Sequence, residues 1–236
     1  MEILAIIPAR GGSKGIKNKN LLKLCDLSLL GRSISNALKC PEISRILVST
    51  DSSQIAEEGL KYGAEVPFMR PDELSGDKAE TIEAVIHALT WLKENENYEP
   101  DAVICLQCTS PFVQAKDLRN GIKIFINQKA QAVFSVCEAA SHPMKMGSIN
   151  EQGTWEHLLC SPSETCRQKL DKIYQHNGAF YIVDTGIILT ERTWFPDRTL
   201  PYIMPQDMSI DLDTERDLKY LEFLMQERSF QELYKS

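Results

Sequence analysis

Short apolar runs alternate along the chain with segments whose apolar residues recur every three or four positions. Ile3 to Ile7 is a continuous apolar run closed by Pro8, and Arg45 to Thr50 carries Ile46, Leu47 and Val48 and ends at Asp51. Ala102 to Leu106 and Ala132 to Val136 repeat the pattern. Runs of this length and character fit strands of a mostly parallel sheet covered on both faces. Between them, Leu30, Ile34, Ala37 and Leu38 fall at helical spacing. So do Ile82, Val85, Ile86, Leu89 and Leu92, and then Leu118, Ile122, Phe125 and Ile126. Each stripe predicts an amphipathic helix with that face on the core. Strand–helix alternation over residues 1–137 predicts a doubly wound, mostly parallel α/β fold.

The pattern breaks after Cys137. The following stretch, to about Tyr174, is polar and irregular, with Pro143, Pro162 and an isolated Trp155. Periodicity returns with Ala179 to Val183 and Tyr202 to Met204. A final helix from about Thr214 carries Leu218, Leu221, Leu224 and Met225. Thr214 and Asp217 stand three apart, as in a capping box. The organisation read from this is an α/β core of residues 1–137 and 180–236, with residues 138–179 inserted as a separate lobe.

Length and composition narrow the classes. A chain of 236 residues suffices for one α/β domain with a smaller lobe. The net charge of −7 argues against nucleic acid as a partner. No apolar run approaches the roughly 18–20 residues of a membrane span. The start has an acidic Glu2 and no basic region ahead of its apolar run, so it reads as a first strand and not a signal peptide. Cysteines lie at 25, 40, 105, 108, 137, 160 and 166, an odd number. Cys105 and Cys108 form a C-x-x-C, the spacing of a redox pair or half a zinc site. No second C-x-x-C or spaced His pair follows, and an odd offset along a strand puts the two on opposite faces. Buried free thiols in a reducing cytoplasm account for them better.

The first strand runs into Pro8-Ala9-Arg10-Gly11-Gly12-Ser13-Lys14-Gly15-Ile16-Lys17-Asn18-Lys19-Asn20. Three glycines and four basic side chains fall within ten residues of an acidic protein. Glycines let backbone N–H groups approach phosphate oxygens, and Arg10, Lys14, Lys17 and Lys19 can neutralise a polyanion. The C-terminal end of a first parallel strand is where such folds hold ligands. Neither G-x-x-x-x-G-K-[ST] nor G-x-G-x-x-G is present, which removes the P-loop and dinucleotide readings. The next helix begins only near Leu30. A long basic loop without a helix terminus suits a triphosphate in nucleotidyl transfer; the alternative is a solvated loop with turn glycines.

Near the other end, Ser209-Ile210-Asp211-Leu212-Asp213-Thr214 sets two carboxylates two residues apart. In extended chain both face one side, about 6.5 Å apart at Cα, with Ile210 and Leu212 facing the core. That suits a hard cation such as Mg²⁺ on a substrate phosphate. An exposed edge with an N-cap at Asp213 is the competing reading. The basic loop tilts the balance toward the metal.

The opening I-P-A-R-G-G-S-K-G-I-x-x-K-N resembles that of the acylneuraminate cytidylyltransferases, the CMP-sialic acid synthetases, whose relatives act on legionaminic and pseudaminic acids. The resemblance continues through Val48-Ser49-Thr50-Asp51, Arg70-Pro71, Leu106-Gln107 with Thr109-Ser110-Pro111, and His142-Pro143-Met144-Lys145. It also takes in Arg167-Gln168, Asn177-Gly178-Ala179, Tyr181-Ile182 and Ser209-Ile210-Asp211 to Asp213-Thr214-Glu215.

The resemblance implies a Rossmann-like nucleotide-diphospho-sugar transferase core with an inserted dimerisation lobe, and a homodimer whose lobe reaches the partner's site. It implies transfer of CMP from CTP to the anomeric hydroxyl of a nonulosonic acid, with release of pyrophosphate. Arg10 and Lys19 would bind the triphosphate, with Gly11, Gly12, Ser13 and Lys14 completing the loop. Asn20 and Arg70 would contact the nucleoside, Arg70 reading cytosine. Gln107, Lys145, Arg167 and Asn177 would meet the acceptor sugar, and Asp211 and Asp213 would hold Mg²⁺. Arg10, Lys19 and Asp211 are the expected catalytic residues.

The sequence departs from the pattern in three places. Gln175-His176 stands where Arg-Pro is frequent, Cys108 where proline usually follows the glutamine, and Lys17-Asn18 where many members have a proline. His176 is open to two readings, a substitute for the missing base or a surface histidine. The alternatives are transfer to the eight-carbon 3-deoxy-manno-octulosonate, against which His-Pro-Met-Lys and Asn-Gly-Ala argue, and a non-catalytic nucleotide-binding regulator.

Overall fold

The computed structural model describes residues 1–12, 15–159 and 170–227. Ser13, Lys14 and Arg167, together with Cys160 and Cys166, lie outside the described residues. In chain order the strands are β1 (Ile3–Pro8), β2 (Lys23–Leu24), β3 (Leu27–Ser28), β4 (Arg45–Ser49), β5 (Ala102–Leu106), β6 (Ala132–Glu138), β7 (Gly147–Ile149), β8 (Trp155–His157), β9 (Tyr174–Asp184) and β10 (Thr199–Ile203). The helices are α1 (Leu29–Leu38), α2 (Ser53–Lys61), α3 (Thr81–Glu96), α4 (Ala115–Asn127), α5 (Thr185–Glu191) and α6 (Glu215–Gln226).

Among the described residues, six strands form the central sheet in the order β10-β6-β9-β5-β1-β4. β1 pairs in parallel with β4 and β5, and β10 with β6. β9 is antiparallel to both its neighbours, β5 and β6. The strand period of two divides each apolar run between two cores. Ile3, Ala5 and Ile7 join the cluster covered by α1, α2, α4 and α6, while Leu4 and Ile6 join the one under α3 and α5. Helices thus cover both faces, as the alternation predicts. No helix among the described residues is long and apolar enough to cross a membrane.

Two of the predicted stripes are narrower than read. Leu38 and Ile126, at the ends of α1 and α4, are 55% and 42% exposed. The capping box at α6 is present. Thr214 Oγ accepts from Asp217 N, and the Asp217 carboxylate accepts from Thr214 N. The cap is therefore Thr214, which removes the N-cap reading of Asp213.

β9 begins at Tyr174, inside the stretch assigned to the lobe, and its first residues pair with β6 through Val136↔His176, Cys137↔Gln175 and Glu138↔Tyr174. Tyr174, Gln175 and His176 are exposed and mostly polar, so no apolar period betrays the strand. The register between β6 and β9 shifts between Phe134 and Val136, where Asn177-Gly178-Ala179 bulges out. Gly178 supplies the left-handed φ of 69° that the bulge requires. Past Val136, the last β6 residue paired with β10, β6 and β9 continue as a two-stranded ribbon. The β7–β8 hairpin belongs to the segment that this ribbon carries.

Candidate active site

The C-terminal ends of β1 and β5 open onto a cavity of about 320 Å³. Arg10, Lys19, Asn20, Arg70, Gln107 and Asp213 all line it, although they span most of the chain. The glycine-rich loop forms one wall. Ala9 N donates to Ser49 O at 3.0 Å, which carries the β1–β4 pairing past Pro8. Asn20 is buried, and its amide donates to the Arg10 carbonyl at 3.0 Å, closing the loop on itself. Asn18, at φ 54°, turns the chain into the 3-10 turn Lys19–Leu21 that aims Lys19 inward.

Both described loop cations that line the cavity meet carboxylates. Arg10 donates to the Gly76 carbonyl at 2.8 Å and lies 3.3 Å from Asp77. Lys19 Nζ lies 2.9 Å from Asp213 Oδ1. Of the two expected phosphate-facing glycines, Gly12 is exposed, but the Gly11 N–H is engaged by Asp51 Oδ1 at 2.8 Å. Gly11 therefore shapes the loop from behind.

The C-terminal segment crosses against this loop. A Cβ on Gly15 would stand 2.1 Å from the Asp213 carbonyl oxygen, so only glycine permits the approach. Leu212 is fully buried and its N–H donates to Thr109 O at 2.8 Å, while Asp211 and Asp213 on either side of it remain exposed. The alternation expected of extended chain is present, although the segment pairs with no strand. Asp213 lines the cavity and Asp211 does not. Surrounding protein pushes the Asp211 carboxyl above its usual range. A hydrogen bond with Thr109 opposes this, the Asp213 charge adds to it, and Lys19 pulls the other way. Two carboxylates with hard oxygens suit a divalent cation that completes its shell with phosphate and water oxygens. No group of three or more His, Cys, Asp or Glu side chains that could hold a metal by itself occurs among the described residues.

Arg70 is buried at the back of the cavity. Burial lowers its pKa, the Asp51 charge offsets this, and Arg10 adds to the lowering. Its Nε and Nη2 are buried without a hydrogen-bond acceptor. Gln107 leaves β5 with its N–H on Ala179 O at 3.2 Å and its side chain on the cavity.

Asn177 does not line the cavity. It is buried, and its amide donates to Ser209 Oγ at 2.9 Å, so it braces the segment that carries the aspartates. Lys145 is exposed on a 3-10 turn of the lobe, away from the cavity. His176 is exposed and its ring rests against Phe134 and Phe195, as a surface histidine. Cys105 and Cys108 are buried in opposite cores. Burial drives both thiols up, Cys108 to about 12. Sequence reasoning missed Asp51 and Asp77. Asp51 carries a signal, since it stands just past the end of a predicted parallel strand.

The basic glycine-rich loop, the buried Arg70 and the Asp213 carboxylate share one cavity at the open end of an α/β sheet, where such folds hold ligands. A family model described as cytidylyltransferase matches residues 4–234, and the chain belongs to that family. It is 33% identical over 224 residues to the pseudaminic acid cytidylyltransferase of Campylobacter jejuni, covering 95% of this chain and 96% of that one. It is 34% identical over 229 residues to the CMP-N,N'-diacetyllegionaminic acid synthase of Legionella pneumophila, covering 96% and 97%. The fold is shared with a solved structure of CMP:2-keto-3-deoxy-manno-octonic acid synthetase complexed with CTP. That match has a TM-score of 0.68 at 16% identity and covers 95% of this chain and 98% of the other.

Proposed function

We propose that the protein transfers CMP from CTP to the anomeric hydroxyl of a nonulosonic acid, releasing pyrophosphate. The observation that carries this reading is the convergence of Arg10, Lys19, Arg70, Gln107 and Asp213 on one cavity. In the reaction the sugar oxygen bonds to the α-phosphorus of CTP, the bond from that phosphorus to the bridging oxygen breaks in line with its electron pair leaving on pyrophosphate, and the hydroxyl proton passes to solvent. Charge grows on the phosphate oxygens, so fixed cations at those positions lower the barrier. Arg10 and Lys19 do this from the loop, each released from its carboxylate as phosphate arrives. Arg70, short of acceptors, reads cytosine. Gln107 faces the acceptor sugar.

Asp211 and Asp213 would hold Mg²⁺, which would supply charge neutralisation at the phosphates and a more acidic acceptor hydroxyl. Asp213 would be free for that role once Lys19 turns to phosphate, and a hydrogen bond with Thr109 keeps Asp211 oriented. The β6–β9 ribbon and the segment it carries make the contact of a homodimer. The exposed Ile149, Trp155, Leu158, Leu159 and Tyr174 supply the apolar surface it needs. Lys145 is carried there toward the partner's site. The cytoplasm is the fitting compartment, since all five cysteines among the described residues are free.

Pyrophosphate release is the test, with CTP alone and then with N-acetylneuraminic, legionaminic, pseudaminic and 3-deoxy-manno-octulosonic acids in turn. Release that depends on a nine-carbon sugar is expected. No release with any sugar would support a binding module instead. Sedimentation at varied concentration tests the dimer.

A further inference from the structure

Asp51 stands directly beyond β4, in a turn held by Ser52 N donating to Thr50 Oγ1 at 3.1 Å. One of its oxygens, Oδ1, meets two separate parts of the site. It accepts the Gly11 N–H at 2.8 Å and lies 3.9 Å from Arg70 Nη2. Neither contact is incidental. A Cβ on Gly11 would approach Ser52 Cβ to 3.0 Å, so the loop lies against this turn as closely as a glycine allows. Arg70 is fixed to the same turn by its backbone, N–H to Thr50 O at 2.7 Å. Its side chain is 5% exposed, and Arg10 repels it. The Asp51 carboxylate balances this buried charge.

We propose that Asp51 is a positioning residue that couples the glycine-rich loop to Arg70, so that one carboxylate sets both the phosphate wall and the base-reading arm. The inference rests on the proposed roles of that loop and of Arg70. Asp51 touches neither substrate; it acts through the Gly11 backbone and the Arg70 guanidinium. The two duties are chemically separable. Holding Gly11 needs an acceptor oxygen, which an amide keeps. Balancing Arg70 needs a charge, which an amide lacks.

The test is inhibition of CMP-sugar formation by inorganic pyrophosphate and by CMP, in Asp51→Asn, Asp51→Ala and Arg70→Met, with melting temperatures recorded. In Asp51→Asn the pyrophosphate constant should stay within about twofold of the parent while the CMP constant rises about tenfold. In Asp51→Ala both constants should rise, by about tenfold or more. Should the alanine variant fail to fold, the split in Asp51→Asn decides alone. Unchanged constants in Asp51→Asn, or equal changes in both, would overturn the coupling. Arg70→Met separates the underlying reading. A raised CMP constant there with no split in Asp51→Asn sinks the Asp51 role alone, while an unchanged one sinks the base-reading role and this inference with it.

Discussion

Lys19 and Asp213 are 194 positions apart in sequence, yet their charged groups meet at 2.9 Å on the cavity wall. The lysine side chain is 15% exposed and the aspartate's 68%. A pair so open on one side adds little to stability, so its importance is positional. Lys19→Met should leave the melting temperature within a few degrees and lower kcat/KM at least about a hundredfold, a barrier increase of about 2.7 kcal/mol. Asp211→Ala should cost at least as much. Near-normal turnover in the latter would refute the cation assignment, as would full activity after exhaustive chelation.

Gly15 tests how tightly the two ends of the site are pressed together. Alanine there drives a methyl into the Asp213 carbonyl, a backbone atom without a rotamer to escape through. Gly15→Ala should reduce kcat/KM by about tenfold or more, because small displacements of reacting groups are costly. Unaltered steady-state kinetics would show that the loop gives way freely.

Asn177 should behave as a brace. Asn177→Ala leaves Ser209 without its donor and should destabilise by about 1–3 kcal/mol in denaturant titration. Turnover should fall with it as the Asp211 segment loosens. A rise in KM for the sugar alone, with stability intact, would restore the acceptor-contact role.

Asp211 should show opposed effects on activity and stability. Its carboxyl is raised in the folded state, so ionisation disfavours folding above the usual carboxylate range. Asp211→Asn, inactive, should melt higher than the parent near pH 7 in chelator. The gap should close as pH falls through about 4, where the parent protonates in both states. A variant that melts lower at neutral pH contradicts this account.

The C-x-x-C should be chemically silent. Cys25 is exposed, whereas Cys105 and Cys108 are buried with thiols driven up. Iodoacetamide at about pH 8 should label Cys25 promptly and the other two only after unfolding, as read by peptide mass mapping. Prompt labelling of Cys108 would reopen a redox role.

The core was readable because fully covered strands must be apolar throughout, as Ile3 to Ile7 and Ala102 to Leu106 are. The loop was readable because dense glycine and lysine at a strand end has few other uses. The start of β9 was hidden, since Tyr174 to His176 pair only with β6 and keep their side chains in solvent. The structural duty of Asn177 was hidden for a different reason. Its partner Ser209 is 32 residues away, and no local pattern reports such a bond. Likewise, spacing could show that Asp211 and Asp213 flank a buried Leu212, but not that only Asp213 turns into the cavity.

The antiparallel course of β9 has an architectural consequence. The chain leaves the sheet along β6 and returns along the adjacent β9, with Ala139 N still bonded to Ile173 O at 3.0 Å. Exit and re-entry are therefore side by side, about 5 Å apart as paired strands are. Whatever lies between them is a module plugged into a two-pin socket. A change in its length or content would leave the register of β5 and β9 untouched.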